Sequence, residues 1–375
     1  MKVAIDLTAL LPVKTGVDIF LKNLVLHFGK IDEENSFRIY VNYEDRHIFD
    51  HCLPDNYTIV PRSLRLRAIR LLFQQLWFPF DIDGWADVVH SPSFLMPFYR
   101  GRQRHMLTVY DMTFFSLPGY HNALRRSQFF RHMILKSILR TDLVQVPSQS
   151  TKQDVLNYLP QVSPERIHVI PYGLGHEFRI HSRDEVLNAV KRFGLPTPYI
   201  LYVGTIEPRK NVASLVESYK TLLKMGISEH LVLVGPFGWG YQELLKKIRS
   251  DSLKNRVHLL GYVNHEDLPG IYAGARLFVY PSFYEGFGLP PLEAMACGLP
   301  TITSRTSALE EYYKVAAVLV SPTDKNALTE AMKRLLFDDA LRAEYRDRGL
   351  TLASMFKWEK TAARMLDCYK LLAEK

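Results

Sequence analysis

Between residues 199 and 303 short apolar runs alternate with longer amphipathic ones, and this alternation restricts the chain more than any other feature. The runs at 199–203, 231–234, 257–260, 277–280 and 301–303 have strand length and no polar face, as strands buried on both sides do. Between them, 212–225, 241–248, 266–273 and 290–297 have helix length, the last opening at Pro290-Pro291. Such an order predicts an α/β fold with a parallel sheet covered by helices. The first half begins the same way, with a strand at 3–7, a loop containing Thr15-Gly16 and a helix over 18–28. Strands are also predicted at 88–89, 106–109 and 143–146.

At 375 residues the chain exceeds one ordinary core, so two domains are expected. Ile170-Pro-Tyr-Gly-Leu-Gly175 breaks the periodicity, which sets the expected domains at 1–172 and 173–357. Each open sheet would place ligands beyond the carboxyl ends of its strands, and two such edges facing one another would enclose a cleft. With 47% hydrophobic and 23% charged residues, the composition excludes a disordered or fibrous chain. Cys52, Cys297 and Cys368 fit neither a disulfide framework nor metal-ligand spacing, pointing to a reducing, cytoplasmic setting. Asp6 interrupts the first apolar run, which reads as a strand rather than a signal peptide, and no uncharged run is long enough to span a bilayer. Any membrane contact is therefore expected to be peripheral, at the inner face.

The segment that carries chemistry runs from Tyr280 to Glu293. A strand ends, the loop Glu285-Gly286-Phe287-Gly288-Leu289 follows, and a helix begins. The glycines allow close approach of the main chain, and the helix N-terminus offers amides and a positive dipole end suited to a pyrophosphate. Carboxylates at Glu285 and Glu293 beside an anion make sense if they accept hydrogen bonds from sugar and ribose hydroxyls. The alternative is a capped helix with a solvated Glu293.

In order and spacing these residues resemble the retaining GT-B glycosyltransferases of family four. Glu285 and Glu293, with seven residues between them, match its E-x7-E motif. Gly204-Thr-Ile-Glu-Pro-Arg-Lys-Asn211, Gly261-Tyr-Val263, Gly298-Leu-Pro300 and Phe356-Lys-Trp-Glu-Lys-Thr361 are similar too, so the resemblance spans nearly the whole chain. It implies two Rossmann-like domains facing a cleft, the first for the acceptor and the second for a nucleotide-sugar donor, with the last helix (358–375) returning to the first. By the same resemblance Glu285 meets the donor sugar and Glu293 the ribose. Thr205, Val263 and the loop Gly286, Phe287, Gly288 and Leu289 line the donor, and Arg209 and Lys210 face the leaving pyrophosphate, so that no metal or other cofactor is required. Gly16 falls where the family places a phosphate-facing loop, with an ordinary βα turn as the alternative. Tyr110-Asp111 stands where many members carry His-Asp, which directs Tyr110 at the acceptor and leaves Asp111 either to position its hydroxyl or to cap a helix.

The implied reaction is retaining transfer of a sugar, with mannose from GDP-mannose favoured, to a saccharide or lipid-linked glycan in surface polysaccharide synthesis. A sugar-nucleotide epimerase of related fold and, because of Tyr110, a non-catalytic sugar-nucleotide-binding subunit are the rivals. A nicotinamide enzyme would call for G-x-G-x-x-G after the first strand, and it is absent.

The net charge of +8 is concentrated, since residues 62–140 hold twelve Lys/Arg against four Asp/Glu. In 62–78, Arg67, Arg70 and Gln74 share one helical side, leaving an apolar arc of Leu64, Leu71, Leu72, Leu76 and Trp77. Packing into the first domain is the expectation, and an interfacial helix the alternative. Arg125, Arg126, Arg131, His132, Lys136 and Arg140 form a second basic helix, and the two could meet anionic lipid or a diphosphate-linked acceptor. Neither sits in a nucleic-acid motif, so no nucleic-acid partner is expected. Asp81-Ile82-Asp83 reads as a turn rather than a metal site, and His47, His51 and Cys52 form no ligand set.

Overall fold

In the computed structural model, which describes residues 1–10, 16–49, 52–64, 66–120, 127–249 and 253–374, every predicted strand is a strand. Thr15, His51, Arg125, Arg126 and the side chain of Arg67 lie outside the described residues. Contacts divide the chain into a first unit, Met1–Gly173 with Lys357–Lys375, and a second, Leu174–Phe356.

The first unit holds β1 (Lys2–Asp6), β2 (Ser36–Asn42), β3 (Tyr57–Arg62), β4 (Val88–Ser91), β5 (Arg104–Thr108), β6 (Leu143–Val146) and β7 (Ile167–Val169) in the order β3-β2-β1-β4-β5-β6-β7. The second holds β8 (Tyr199–Val203), β9 (His230–Val234), β10 (Val257–Gly261), β11 (Leu277–Tyr280), β12 (Thr301–Ser304) and β13 (Val318–Val320) in the order β10-β9-β8-β11-β12-β13. All their pairings are parallel. Each sheet is thus doubly wound, and its order reverses between the first strand and the fourth, at β1/β4 and β8/β11. β2, β3, β7 and β13 had no clear sequence signal. β7 and β13 have three residues each, and β3 carries Pro61, which an edge strand tolerates.

The last helix, Trp358–Ala373, belongs to the first unit. It buries Trp358, Ala362, Met365, Leu366, Tyr369 and Leu372, and the helix Gly16–Ile31 buries Phe20, Leu24 and Phe28 at the same spacing. Phe20 lies against Trp358 (ring centroids 5.9 Å apart) and Phe28 edge-on to Tyr369 (5.7 Å). Tyr369 also reaches the sheet, its hydroxyl 2.8 Å from His90 Nδ1, while His90 Nε2 is 2.8 Å from Thr108 Oγ1. Burial brings the His90 imidazole down to about 3, so the ring is neutral. The chain enters this helix close against Gly173, where a Cβ would overlap the Trp358 backbone. Gly173→Ala should therefore cost about 1–3 kcal/mol, as overpacking against backbone does. Denaturant unfolding checks this, with Gly119→Ala, where a Cβ meets nothing, as the neutral comparison.

Candidate active site

In a parallel sheet the loops leaving adjacent strands lie side by side, and β8 and β11 are adjacent. The loop after β8 carries Thr205, Glu207, Arg209 and Lys210, and the loop after β11 carries Ser282 and Glu285 to Gly288. Hydrogen bonds fix one loop on the other. The Arg209 carbonyl accepts from Phe283 N (2.9 Å), and Asn211, at φ 57°, donates through Nδ2 to the carbonyls of Pro281 (3.0 Å) and Pro322 (2.8 Å).

Glu285 sits between the cations. Its Oε1 accepts from Lys210 Nζ (2.6 Å), Ser282 Oγ (2.6 Å) and Tyr280 Oη (3.0 Å), and its Oε2 is 3.5 Å from Arg209. Arg209 also pairs with Glu207 (3.1 Å) and donates to the Tyr284 carbonyl (2.8 Å). Burial alone would raise the Glu285 carboxyl, but the charges of Lys210 and Arg209 and the hydrogen bonds from Lys210 and Ser282 outweigh it, bringing it down to about 2. The result is a fixed anion between two fixed cations. Its backbone is held as well, with Glu285 N donating to Ser307 Oγ (3.0 Å).

The loop then passes Gly286 and Phe287 to Gly288, which caps the helix Leu289–Ala296 in the left-handed region (φ 90°) and whose carbonyl accepts from Tyr313 Oη (2.7 Å). Beyond that strained φ, a Cβ there would come within 2.7 Å of Leu309. Pro290 and Pro291 have no N–H, so the helix end offers fewer amides than the sequence argument assumed. The Phe287 side chain points away into an aromatic cluster with Tyr312 and Phe356.

Glu293 is not solvated. It is buried, and Tyr272 Oη donates to its Oε2 (2.8 Å). Burial raises its carboxyl above the ordinary range, opposed by the charge of His265 and the Tyr272 bond. His265 Nε2 is 3.1 Å from Glu177, and its ring lies edge-on to Phe178 (5.0 Å), which in turn meets Tyr272 (5.9 Å). Val263, buried, comes two residues before His265. Glu177, Tyr272, Tyr280 and Ser282 were missed by sequence reasoning. Tyr280 and Ser282 lay within the segment from Tyr280 to Glu293 with no role given them, whereas nothing in the sequence joins Tyr272 to Glu293.

The remaining sequence-selected residues lie in the first unit. Gly16 opens the helix Gly16–Ile31. Asp111 accepts from Thr113 N (2.9 Å) and stays partly exposed, an Asx turn one residue before Met112, the N-cap of the short helix Thr113–Ser116. Tyr110 is a core residue, its ring edge-on to Phe20 and Phe94 and its hydroxyl donating to the Pro92 carbonyl (2.7 Å). Asp81 lies in the last turn of a helix and pairs with Arg62 (3.0 Å), while Asp83 follows the helix end, accepts from Gln103 and opens the expected turn through Gly84 (φ 69°). Among the described residues no group of three or more His, Cys, Asp or Glu could hold a metal ion.

Two family descriptions cover most of the chain, Glycosyltransferase Family 4 over residues 24–178 and Glycosyl transferases group 1 over 185–351. An Escherichia coli protein named O-antigen chain mannosyltransferase B is 33% identical over 83% of this chain and 81% of its own. The chain belongs to glycosyltransferase family 4. Sucrose-phosphate synthase from Thermosynechococcus elongatus shares the fold of this glycosyltransferase at a TM-score of 0.79, 21% identical over 99% of this chain and 98% of that one. Anabaena HepE, solved with UDP-glucose, shares it at 0.79, 16% identical over 98% and 100%. The architecture is GT-B, two Rossmann-like units.

Three variants of this glycosyltransferase test the electrostatics. Lys210→Met leaves Glu285 buried beside one fewer cation and should destabilise by about 3 kcal/mol, whereas adding Glu285→Gln should restore most of the loss. Equal losses in urea unfolding would show that the two groups are uncoupled. Glu293→Gln removes a carboxylate whose ionisation opposes folding. Because the folded carboxyl is raised, that penalty grows as pH rises through its titration, so the Tm gain over the unaltered chain should be larger at pH 8 than at pH 5.

Proposed function

We propose that this enzyme is a retaining hexosyltransferase that moves mannose from a nucleotide diphosphate sugar, GDP-mannose, to a saccharide or lipid-linked glycan in surface polysaccharide synthesis at the inner face of a membrane. The observation that carries the reading is the ionised Glu285 fixed between Arg209 and Lys210 at the β8/β11 switch point, with Glu293 one helix turn and a loop away. Glu285 accepts hydrogen bonds from the donor sugar, Glu293 from the ribose, and the amides of 286–289 meet phosphate. Thr205 and the backbone at Val263 complete the donor side.

The bond from the anomeric carbon to the phosphate oxygen breaks with its electron pair leaving on the nucleoside diphosphate. Arg209 and Lys210 stabilise that charge, so the reaction calls on no metal. The acceptor hydroxyl attacks on the face the diphosphate leaves, giving its proton to the departing phosphate oxygen, and configuration is retained. In the first unit, Gly16 is assigned to the donor phosphates and Asp111 to the acceptor hydroxyl. Tyr110, with its hydroxyl bound to Pro92, shapes the acceptor side by its bulk. The likeness to a curated mannosyltransferase of O-antigen chains supports the sugar and the acceptor class.

The test is nucleoside diphosphate release from a panel of GDP-, UDP- and ADP-sugars, with and without a saccharide acceptor. Release with GDP-mannose that requires acceptor, and a product keeping the donor's anomeric configuration by NMR, is expected. Lys210→Arg should lower kcat by about 10²–10³, the loss usual when one preorganised charge contact is displaced. An unchanged sugar-nucleotide thermal shift in Glu293→Ala would overturn the donor assignment.

A further inference from the structure

The helical stretch that follows β3 carries large apolar side chains on both its inner and its outer side. It runs through Arg67–Leu72, widens to a π turn over Phe73–Trp77 and ends at Phe78–Ile82. Its inner side, Phe73, Phe78 and Ile82, joins the core with Leu64. Gln74, assigned by periodicity to a polar outer side, is buried, with Nε2 donating to Asp6 Oδ2 (2.9 Å) and to the Leu95 carbonyl (3.2 Å). The predicted apolar arc is therefore split, because the wide turn draws Phe73 and Gln74 inward and leaves Leu76 and Trp77 outward beside Leu72.

The outer side is a stripe of large apolar residues: Leu66 (64% exposed), Ile69, Leu72, Leu76, Trp77 (62%) and Phe80 (66%). It continues onto the next loop, where Tyr99 stacks on Phe80 (5.3 Å) and Phe98 is held by its amide to Gln75 Oε1 (2.8 Å). A helix apolar on both sides is stable where both are covered, and an aligned row of this kind is not ordinary surface scatter.

What covers it is indicated by charge. Arg100 ties the same loop to the end of the basic helix Gln128–Arg140 by donating to the Arg140 carbonyl, and Met96 N donates to Ser137 Oγ (3.2 Å). On that helix Lys136 and Arg140 are exposed four residues apart, and Arg102 is exposed on the loop. Two of the acidic groups nearby are paired with cations, Asp81 with Arg62 and Asp142 with Arg100 and Arg104, while Asp83 accepts from the neutral Gln103 amide. An apolar stripe bordered by cations, with Trp77 and Tyr99 among its rings, matches an acyl–headgroup boundary carrying negative charge.

We propose that this face of the first unit docks on an anionic lipid bilayer, the stripe entering the headgroup boundary and Arg102, Lys136 and Arg140 meeting lipid phosphates. Among the described residues no helix is long and apolar enough to cross a membrane. It gives the inner-face reading above its surface, and it does not depend on which sugar or donor is used.

The experiment is co-sedimentation of the full chain with vesicles of phosphatidylcholine alone or mixed with phosphatidylglycerol, beside nucleoside diphosphate release with a soluble acceptor. Binding that prefers the anionic vesicles is expected, with at least a tenfold loss in Trp77→Glu/Phe80→Glu. Arg102→Glu/Lys136→Glu should lose about fivefold or more per cation removed, less at high salt. Soluble-acceptor turnover should be unchanged in both, which shows that they fold. Phe337→Glu, equally exposed in the second unit, should leave vesicle binding as it was. No sedimentation with anionic vesicles, sedimentation undiminished by Trp77→Glu/Phe80→Glu, or a dimer that this variant dissolves without any vesicle effect would each overturn the proposal. Loss of transfer alone would count against the proposed function and leave this one standing.

Discussion

Glu285 and Lys210 are both nearly out of water and 2.6 Å apart, and the second unit is organised around keeping them there. A buried ion pair gains little net stability over a hydrophobic pair of the same volume, because desolvation offsets most of its attraction. Leaving one member unpaired is far more costly. The loops that carry the pair are pinned: Asn211 bridges two loops, Ser307 takes the Glu285 amide, and Tyr313 takes the Gly288 carbonyl. A charge arrangement that contributes little to stability yet is this fully supported makes sense as a preorganised field for an incoming diphosphate.

The two sheets repeat one topology and use it differently. At the β8/β11 reversal the second unit gathers charges of both signs. At the β1/β4 reversal the first unit buries Asp6, for which burial raises the carboxyl while bonds from Thr8 and Gln74 and the charge of Arg70 oppose it. That carboxyl is satisfied chiefly by neutral donors and anchors the apolar helical stretch through Gln74. The same sheet edge that could hold a ligand here holds the helix whose outer side meets lipid in the proposal above.

The second unit's strands other than β13 were legible because their apolar runs are short, mostly buried and separated by helices with clear periodicity. The strands missed were edge or near-edge strands, where a mixed pattern such as Ser36–Asn42 or a proline such as Pro61 hides the signal. In the site, motif residues brought their own neighbours: Arg209, Lys210 and Glu285 stand together because β8 and β11 pair. Tyr272 and Glu177 could not be found that way, since a contact across twenty-one residues to Glu293, or from Glu177 to His265, leaves no periodic trace. The reading of Tyr110 shows the same limit. The sequence could note a tyrosine after a strand, and only packing could show its hydroxyl spent on a core carbonyl.

By itself, then, the sequence determined the alternating parallel construction, the glycine-bearing loop after β11 and the family to which its spacing belongs, because strand length, helix period and turn chemistry are local properties. Tertiary structure decided the ionisation and the exposure. Glu285 is held ionised and Glu293 raised by groups far apart in the chain, and Gln74 turned inward while Leu76, Trp77 and Phe80 were left outward, because burial and field depend on what the fold brings alongside.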